Sequence, residues 1–152
     1  MTKKFIIITF VFFFITNCGF QPIYSSNENS NIYLKINSIE GDREINNLIK
    51  QNFTKYQKLD AKNKFNLEIF TDFKKIVLSK NTSGVIVNYR LVISSKFEVS
   101  FKDNKKTIII TEKFDINKNS NLFEEKNYEK QVKRNLSNLI IQRFITQVVS
   151  LQ

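Results

Sequence analysis

One run of alternating residues constrains the fold of this chain more than any other feature. From Val85 to Phe101, apolar side chains occupy most odd positions and polar or charged side chains occupy most even positions. A period of two over 17 residues indicates a long β-strand with one face in a core and the other in water. Because parallel strands are usually buried on both faces, the pattern favours an antiparallel sheet.

Three further strands are predicted around this one. Residues 32–39 alternate in the same way, and residues 65–69 do so after a polar stretch. The parity of the apolar positions then changes, which predicts a bulge or break near Lys74 and Lys75. Residues 80–84 predict a turn, and residues 103–106 predict a second turn that leads into a strand over residues 107–116.

Two helices complete the predicted domain. Residues 43–57 carry apolar side chains at helical spacing, and Asp42 is placed to cap this helix. A longer helix follows residues 117–121 and runs to about Val149, with Asn121 and Glu124 at the spacing of a capping box. Its predicted buried stripe consists of Tyr128, Val132, Leu136, Leu139, Ile140, Phe144, Val148 and Leu151.

The order of these elements, β-α-β-β-β-α, predicts the fold class. Both helices need one apolar surface, and a four-stranded, mainly antiparallel sheet supplies it on one face. We therefore expect an α+β fold, a two-layer sandwich with both helices on one face of the sheet. Residues 32–152 are predicted to form this single domain, which is long enough to bury one core.

The chain lacks the residues on which many enzymes depend. It contains no histidine and one cysteine. Histidine acid/base chemistry, serine–histidine and cysteine–histidine nucleophiles, histidine metal sites and thiolate zinc clusters are therefore excluded. The sequence also contains no nucleophile elbow and no glycine-rich phosphate loop. We expect a protein that is not an enzyme, with no catalytic residues, no metal site and no cofactor.

The N-terminus has the pattern of an export signal. Lys3 and Lys4 precede the apolar run from Phe5 to Ile15, which as a helix would span about 16 Å, too short for a bilayer core of about 30 Å. Such a run is typical of a signal peptide. It leads to Cys18, the only cysteine of the chain, at the place where bacterial lipoproteins receive diacylglycerol through a thioether.

Three assignments follow from this pattern. Residues 1–17 are predicted to be a lipoprotein signal peptide, and residues 18–31 a lipidated N-terminus and tether that begins at Cys18. Gly19 stands where a signal for inner-membrane retention would place Asp, which favours the outer membrane. The alternative is an ordinary secretory signal followed by a chance cysteine, because Asn17 replaces the usual Gly or Ala before the cleavage site.

The net charge of +10 has two explanations. Lysine outnumbers arginine 20 to 4, as expected of a genome biased toward A/T-rich codons. An anionic partner is the other explanation. Because an exported protein does not meet nucleic acid, such a partner would be phosphates of lipid or lipopolysaccharide.

Three stretches of sequence resemble the lipopolysaccharide-assembly lipoprotein (LptE) family. Residues 18–24, CGFQPIY, are similar to the CGFxPLY with which mature members often begin. Residues 87–91, VNYRL, resemble the family's YxL strand, and residues 114–125, FDINKNSNLFEE, resemble its entry into the last helix. The order of strands and helices also matches, so the resemblance covers nearly all of the chain. Asn17 and a C-terminus shorter than in many relatives depart from the family pattern.

The resemblance implies partners and a candidate site. Members of the family pair with an LptD-like outer-membrane β-barrel, sit partly in its lumen and help to deliver lipopolysaccharide, so the domain is expected to face the periplasm or the barrel lumen. Lys80 lies near the turn where relatives carry a basic residue implicated in lipopolysaccharide binding, and Lys74 and Lys75 could extend the same patch. Lysine suits lipid A phosphates as a flexible point charge. Solvated lysines produced by codon bias are the alternative.

A second functional hypothesis stays open at this point. A periplasm-facing lipoprotein that acts as a binding module or an inhibitor, unrelated to lipopolysaccharide, would have the same anchor and the same kind of α+β domain. Co-purification with a large β-barrel would distinguish the two hypotheses.

Overall fold

The computed structural model describes residues 31–57 and 60–151. Its four strands are β1 (Ile32–Gly41), β2 (Asn63–Lys80), β3 (Ile86–Phe101) and β4 (Asn104–Asn117). Its helices are α1 (Arg43–Phe53), which continues into a 3-10 turn at Thr54–Tyr56, and α2 (Leu122–Val149). The predicted order β-α-β-β-β-α is confirmed.

The strands form one sheet in the order β1-β2-β3-β4. Strand β1 is parallel to β2, with α1 in the connection between them, and the other two pairs are antiparallel. In register, Ile93 of β3 lies opposite Phe73 of β2 and Glu112 of β4. The sheet is therefore mixed but mainly antiparallel, as predicted.

One face of the sheet, the helix face, is covered by both helices and contains the core. The buried residues of β3 are Tyr89, Leu91, Ile93, Ser95, Phe97 and Val99, which all have odd numbers. Phe144 of α2 joins the two layers, because its ring stacks on Phe97 at 4.0 Å and on Phe53 of α1 at 5.5 Å between ring centroids. The α+β two-layer sandwich is confirmed, and neither helix of residues 31–57 and 60–151 lies on the opposite face of the sheet, the open face.

Both helices begin at the predicted cap residues. Asp42 Oδ1 accepts hydrogen bonds from the amides of Glu44 and Ile45, each at 3.0 Å. Asn121 Oδ1 accepts from the second and third residues after it at 3.0 and 3.4 Å. The capping box predicted for Asn121 and Glu124 is not closed, because the Glu124 carboxylate accepts a hydrogen bond from Asn119 Nδ2 instead of the Asn121 amide.

The buried stripe of α2 differs from the predicted one. Tyr128 and Leu139, both expected in the core, are 47% and 43% exposed, whereas Ile141 and Ile145 are buried. Tyr128 lies in the first turns of the helix, ahead of its first buried residue, Val132. Leu139 lies at the edge of the buried face, about 60° of helical rotation from Leu136 and on the side away from most of the other buried residues of the helix. The predicted burial of these two residues is therefore wrong.

Two predicted strand features also differ. Strand β2 stays in register with β3 through Lys74 and Lys75, and the irregularity lies further along, between Val77 and Lys80. The hairpin between β3 and β4 turns over two residues, Lys102 and Asp103, instead of the predicted four. The change in the alternation of apolar residues along β2 therefore does indicate a bulge, but the bulge begins two residues after Lys75.

The predicted signal peptide, residues 1–17, and nearly all of the predicted tether, residues 18–31, lie outside the described residues. So does Cys18, so its lipidation stays a prediction. Neither helix of residues 31–57 and 60–151 has the length and apolar character needed to cross a membrane.

Candidate functional site

The tip of the β2–β3 hairpin carries Lys80, the first lysine predicted to contact lipopolysaccharide. Lys80 is the last residue of β2, and it is exposed. Asn81 holds the turn beyond it, because its Oδ1 accepts hydrogen bonds from the amides of Ser83 at 3.0 Å and Val85 at 2.9 Å. Within the part of the chain that the structure describes, Lys80 forms no salt bridge. Its charge is therefore available to an anionic ligand.

Lys75, the second of the predicted lysines, lies on the helix face and is bound by α2. Its Nζ is 2.8 Å from Glu129 Oε2 and 3.4 Å from Glu125 Oε1, and it lies 3.7 Å from the centre of the Tyr89 ring. Burial lowers the pKa of Lys75, but hydrogen bonds with Glu129 and Tyr89 outweigh burial and hold that pKa above its ordinary value. Lys75 therefore stabilises the contact between the first turns of α2 and the sheet.

Tyr89, from the family-like stretch VNYRL, completes this cluster. Its hydroxyl donates a 3.0 Å hydrogen bond to Glu125 Oε1. Burial raises the pKa of Tyr89, and so does the hydrogen bond to Glu125. Nothing local in the sequence indicates that Glu125 and Glu129 pair with a lysine 50 and 54 residues earlier.

Lys74, the third predicted lysine, lies on the open face of the sheet. Its side chain is 67% exposed, and its Nζ is 2.9 Å from Asp72 Oδ2. An exposed pair of this kind contributes about 0–1 kcal/mol, so the lysine can readily exchange its partner. The structure therefore does not bring the three lysines together: Lys74 and Lys75 lie on opposite faces, and Lys80 lies at the tip, about 20 Å along the strand from Lys74.

A cleft of about 640 Å³ separates β2 from the first half of α2. Lys133 Nζ lies at one end of it, 2.8 Å from Asp42 Oδ2, 3.2 Å from Glu44 Oε2 and 4.4 Å from the centre of the Phe73 ring. Lys75 and Lys133 are each paired with two carboxylates, so these two cations offer no free charge to an anion. The cleft is lined by Glu44, Phe73, Lys75, Leu122, Glu125, Lys126, Glu129, Lys130 and Lys133.

A surface that no sequence pattern above predicts lies at the same end of the molecule as Lys80. Of the twelve large apolar side chains that are strongly exposed in the described residues, nine lie there. We call this surface the apolar end. It consists of Ile76, Val77, Leu78, Val85, Val87, Phe114, Leu122, Phe123 and Tyr128. The consecutive apolar residues 76–78 and the pair 122–123 were the sequence signals that could have revealed it.

The topology explains why these residues meet. Strand β2 ends, β3 begins and β4 ends at this side of the sheet, with Val77 opposite Tyr89 and Tyr89 opposite Ile116. The Lys118 amide donates a 2.8 Å hydrogen bond to the Val87 carbonyl oxygen, which brings the start of α2 to the same place. The β2–β3 hairpin thus extends past the helical layer with apolar side chains uncovered.

The described residues contain no arrangement suited to metal chemistry. No group of three or more cysteine, aspartate or glutamate side chains converges within residues 31–57 and 60–151.

Comparisons with known proteins identify the fold. No protein-family model and no curated protein matched the chain. Among solved structures, rare lipoprotein B from Shewanella oneidensis is similar with a TM-score of 0.63 and 15% identity, over 78% of this chain and 95% of that one. A lipoprotein B from Nitrosomonas europaea is similar with a TM-score of 0.55 and 11% identity, over 83% and 89% of the two chains.

A further match is a minor lipoprotein from Acinetobacter baumannii, with a TM-score of 0.51 and 16% identity, over 78% of this chain and 94% of that one. Identities this low establish the shared fold. The matched region covers 89% to 95% of each of these solved chains. The chain therefore has the fold of rare lipoprotein B and related lipoproteins, the fold that its resemblance to the lipopolysaccharide-assembly lipoprotein family implies.

Proposed function

We propose that this chain is a lipid-anchored, non-enzymatic component of lipopolysaccharide transport and assembly at the outer membrane. The observation that carries the proposal is the fold, which is shared with rare lipoprotein B over 95% of that chain. The CGFQPIY pattern at Cys18 also supports it, because this pattern is a feature of the sequence and not of the fold.

The partner in this proposal is an LptD-like outer-membrane β-barrel, as the family resemblance implies. The domain itself offers no helix with which to cross a membrane among its described residues. Anchoring would come from acyl chains on Cys18, since two or more chains hold a protein stably on a bilayer. The domain would then face the periplasm or the barrel lumen.

Lipopolysaccharide is the proposed ligand, and Lys80 is its best-placed contact among the three predicted lysines. Lys75 is held by Glu125 and Glu129, and Lys74 is on the open face next to Asp72. Lys80 stands at the exposed tip beside apolar side chains, an arrangement that suits an amphipathic ligand carrying phosphates and acyl chains.

The partner is tested by crosslinking in membranes. A C-terminally tagged chain is crosslinked in intact cells and purified, and bound proteins are identified by mass spectrometry, with an unrelated tagged outer-membrane lipoprotein as the control. We expect one large β-barrel of the LptD type to be recovered with this chain and not with the control. Recovery of a different periplasmic protein in its place would favour the binding-module or inhibitor hypothesis.

The anchor is tested separately on the mature protein. Mass spectrometry of the N-terminal peptide is expected to show cleavage before Cys18 and acyl chains on that residue. A free Cys18 thiol, or cleavage at another position, would contradict the lipid anchor without bearing on the partner.

A further inference from the structure

The apolar end adjoins the cleft between β2 and α2, because Leu122 also lines that cleft. Leu122 and Phe123, in the first turn of α2, are 67% and 73% exposed, which is more than any other large apolar residue of the described chain. A folded domain normally covers such residues, and a concentration of them at one place marks an interaction site. Three separate elements contribute to it: the β2–β3 hairpin, the end of β4 and the start of α2.

The hairpin is apolar on both of its faces. Ile76 lies opposite Arg90 on the open face, and Val77 lies opposite Tyr89 on the helix face, yet both are exposed to a similar degree, 45% and 46%. A protein partner with a single docking face would cover one of these two sides. The acyl-chain region of a bilayer is fluid, so it can contact both sides of a projecting hairpin without having a complementary shape.

The charge around the apolar end is positive on balance, although the exposed Glu124 beside Phe123 also forms no salt bridge within the described residues. No aspartate or glutamate occurs between Asp72 and Glu98, the stretch that contains the whole hairpin. Four lysines around it, Lys80, Lys118, Lys126 and Lys130, form no salt bridge within residues 31–57 and 60–151. Basic residues next to exposed aromatic and aliphatic side chains are the combination that binds anionic membrane surfaces.

We propose that the apolar end inserts into the interfacial region of an anionic phospholipid bilayer. Leu122 and Phe123 would enter the boundary between headgroups and acyl chains, and the hairpin residues would lie beside them. Lys118 and Lys126, close to that pair in sequence, would contact headgroup phosphates. The domain would then be held at a second point, at the end opposite the start of β1, because β2 runs alongside β1 from its start and continues to the hairpin tip.

This inference goes beyond the proposed function because it requires neither lipopolysaccharide nor a barrel. Its occupant is the phospholipid of the membrane itself. It can fail while the proposed function stands, since an apolar end enclosed in a barrel lumen would not meet the bilayer, and it can hold if the chain is a lipoprotein of another function.

The absence of tryptophan from the chain makes a direct test possible. A single tryptophan is introduced by Phe123→Trp, and the matched control is Leu139→Trp, since Leu139 is also on α2 and 43% exposed but lies outside the apolar end. The whole protein is reconstituted into phosphatidylcholine/phosphatidylglycerol vesicles with and without brominated acyl chains. We expect brominated lipid to quench the Phe123→Trp reporter at least threefold more strongly than the Leu139→Trp reporter.

A second set of measurements tests whether the lysines and the anionic headgroups contribute to insertion. In the Phe123→Trp background, Lys118→Glu with Lys126→Glu, or vesicles of phosphatidylcholine alone, are expected to reduce the quenching by at least half. Equal quenching of the two reporters, or none of either, would overturn the proposal. So would quenching of the Phe123→Trp reporter that appears only after lipopolysaccharide is added, because the ligand would then be lipopolysaccharide instead of the bilayer.

Discussion

Lys133, near the middle of α2, donates a 2.8 Å hydrogen bond to Asp42, the residue that caps α1. The two oxygens of this carboxylate have separate roles, because Oδ1 accepts the amides of Glu44 and Ile45 while Oδ2 accepts Lys133. One side chain therefore starts the first helix and joins it to the second. The lysine side chain is only 11% exposed, so the pair is largely removed from solvent.

This pair predicts a dependence of stability on pH. Burial opposes ionisation of Asp42, but the hydrogen bond from Lys133 and the amides of Ile45 and Glu44 outweigh it, and the pKa of the carboxyl lies below its ordinary value. A carboxyl with a lower pKa in the folded state binds fewer protons there, so stability rises with pH. The contribution is complete above about pH 4–5 and is lost as the pH falls through the lowered pKa.

Asp42→Asn tests this contribution, because asparagine also caps helices well but cannot pair with Lys133 as an anion. We expect a loss of about 1–3 kcal/mol at pH 7 and a smaller fall in stability between about pH 5 and pH 2 than in the parent. Chemical denaturation at a series of pH values measures it. Asp60→Asn, at an exposed position, is the control, and parallel pH profiles for Asp42→Asn and the parent would contradict the assignment.

The centre of the core predicts a contrast between two residues of α2. Phe144 is fully buried between Phe53 and Phe97, so Phe144→Ala should cost about 3–5 kcal/mol. Leu139 is 43% exposed, and Leu139→Ala should cost about 0.5 kcal/mol or less. Urea denaturation of both variants measures the difference. Similar losses of stability in the two variants would show that the face of α2 that carries Leu139 also packs in the core.

Two neighbouring lysines predict a local effect on α2. Lys75→Met removes the cation held by Glu125 and Glu129, whereas Lys74→Met changes the adjacent residue on the open face. We expect faster hydrogen exchange in residues 122–131 for Lys75→Met, by a factor corresponding to about 1 kcal/mol, and no change there for Lys74→Met. Equal hydrogen exchange of residues 122–131 in the two variants would contradict the role of Lys75 in stabilising the start of α2.

The sheet was predictable from sequence because its signal is local. In β3 the buried residues from Tyr89 to Val99 follow the alternation, and the chain between Asp42 and Phe53 has both a cap and an apolar stripe. The misplaced bulge has a physical cause. Lys75 lies on the helix face, where the alternation predicts an apolar residue. Its charge is compensated there by two carboxylates of α2, about 50 residues later in the sequence.

The candidate site was less predictable for a related reason. Lys80 could be singled out from the turn and the family resemblance, but the gathering of Val87, Phe114 and Phe123 at one end depends on strand register and on where α2 starts. The burial of Lys133 depends in the same way on Asp42, 91 residues earlier. From sequence alone, a charged residue of a predicted helix is expected to be exposed to solvent, because the sequence does not show which distant residue it pairs with.

A charge reversal at the hairpin tip tests the proposed ligand contact. Lys80→Asp is compared with Lys62→Asp, an exposed lysine outside the strands and helices, in binding of the protein to lipopolysaccharide at two salt concentrations. We expect a selective loss for Lys80→Asp that becomes smaller at high salt, because an exposed contact is screened over about 8 Å at physiological ionic strength. Equal losses for both variants would mean that binding depends only on net charge.

The central claim is that this protein serves lipopolysaccharide transport, and the most direct measurement is the arrival of newly made lipopolysaccharide at the cell surface after the protein is depleted. Pulse-labelled lipopolysaccharide is followed by its accessibility to a surface modifying enzyme, with the wild-type chain and the Cys18→Ala variant returned in separate strains. The account predicts that surface arrival falls on depletion and is restored by the wild-type chain but not by Cys18→Ala. Unchanged arrival of lipopolysaccharide at the surface of depleted cells would contradict it.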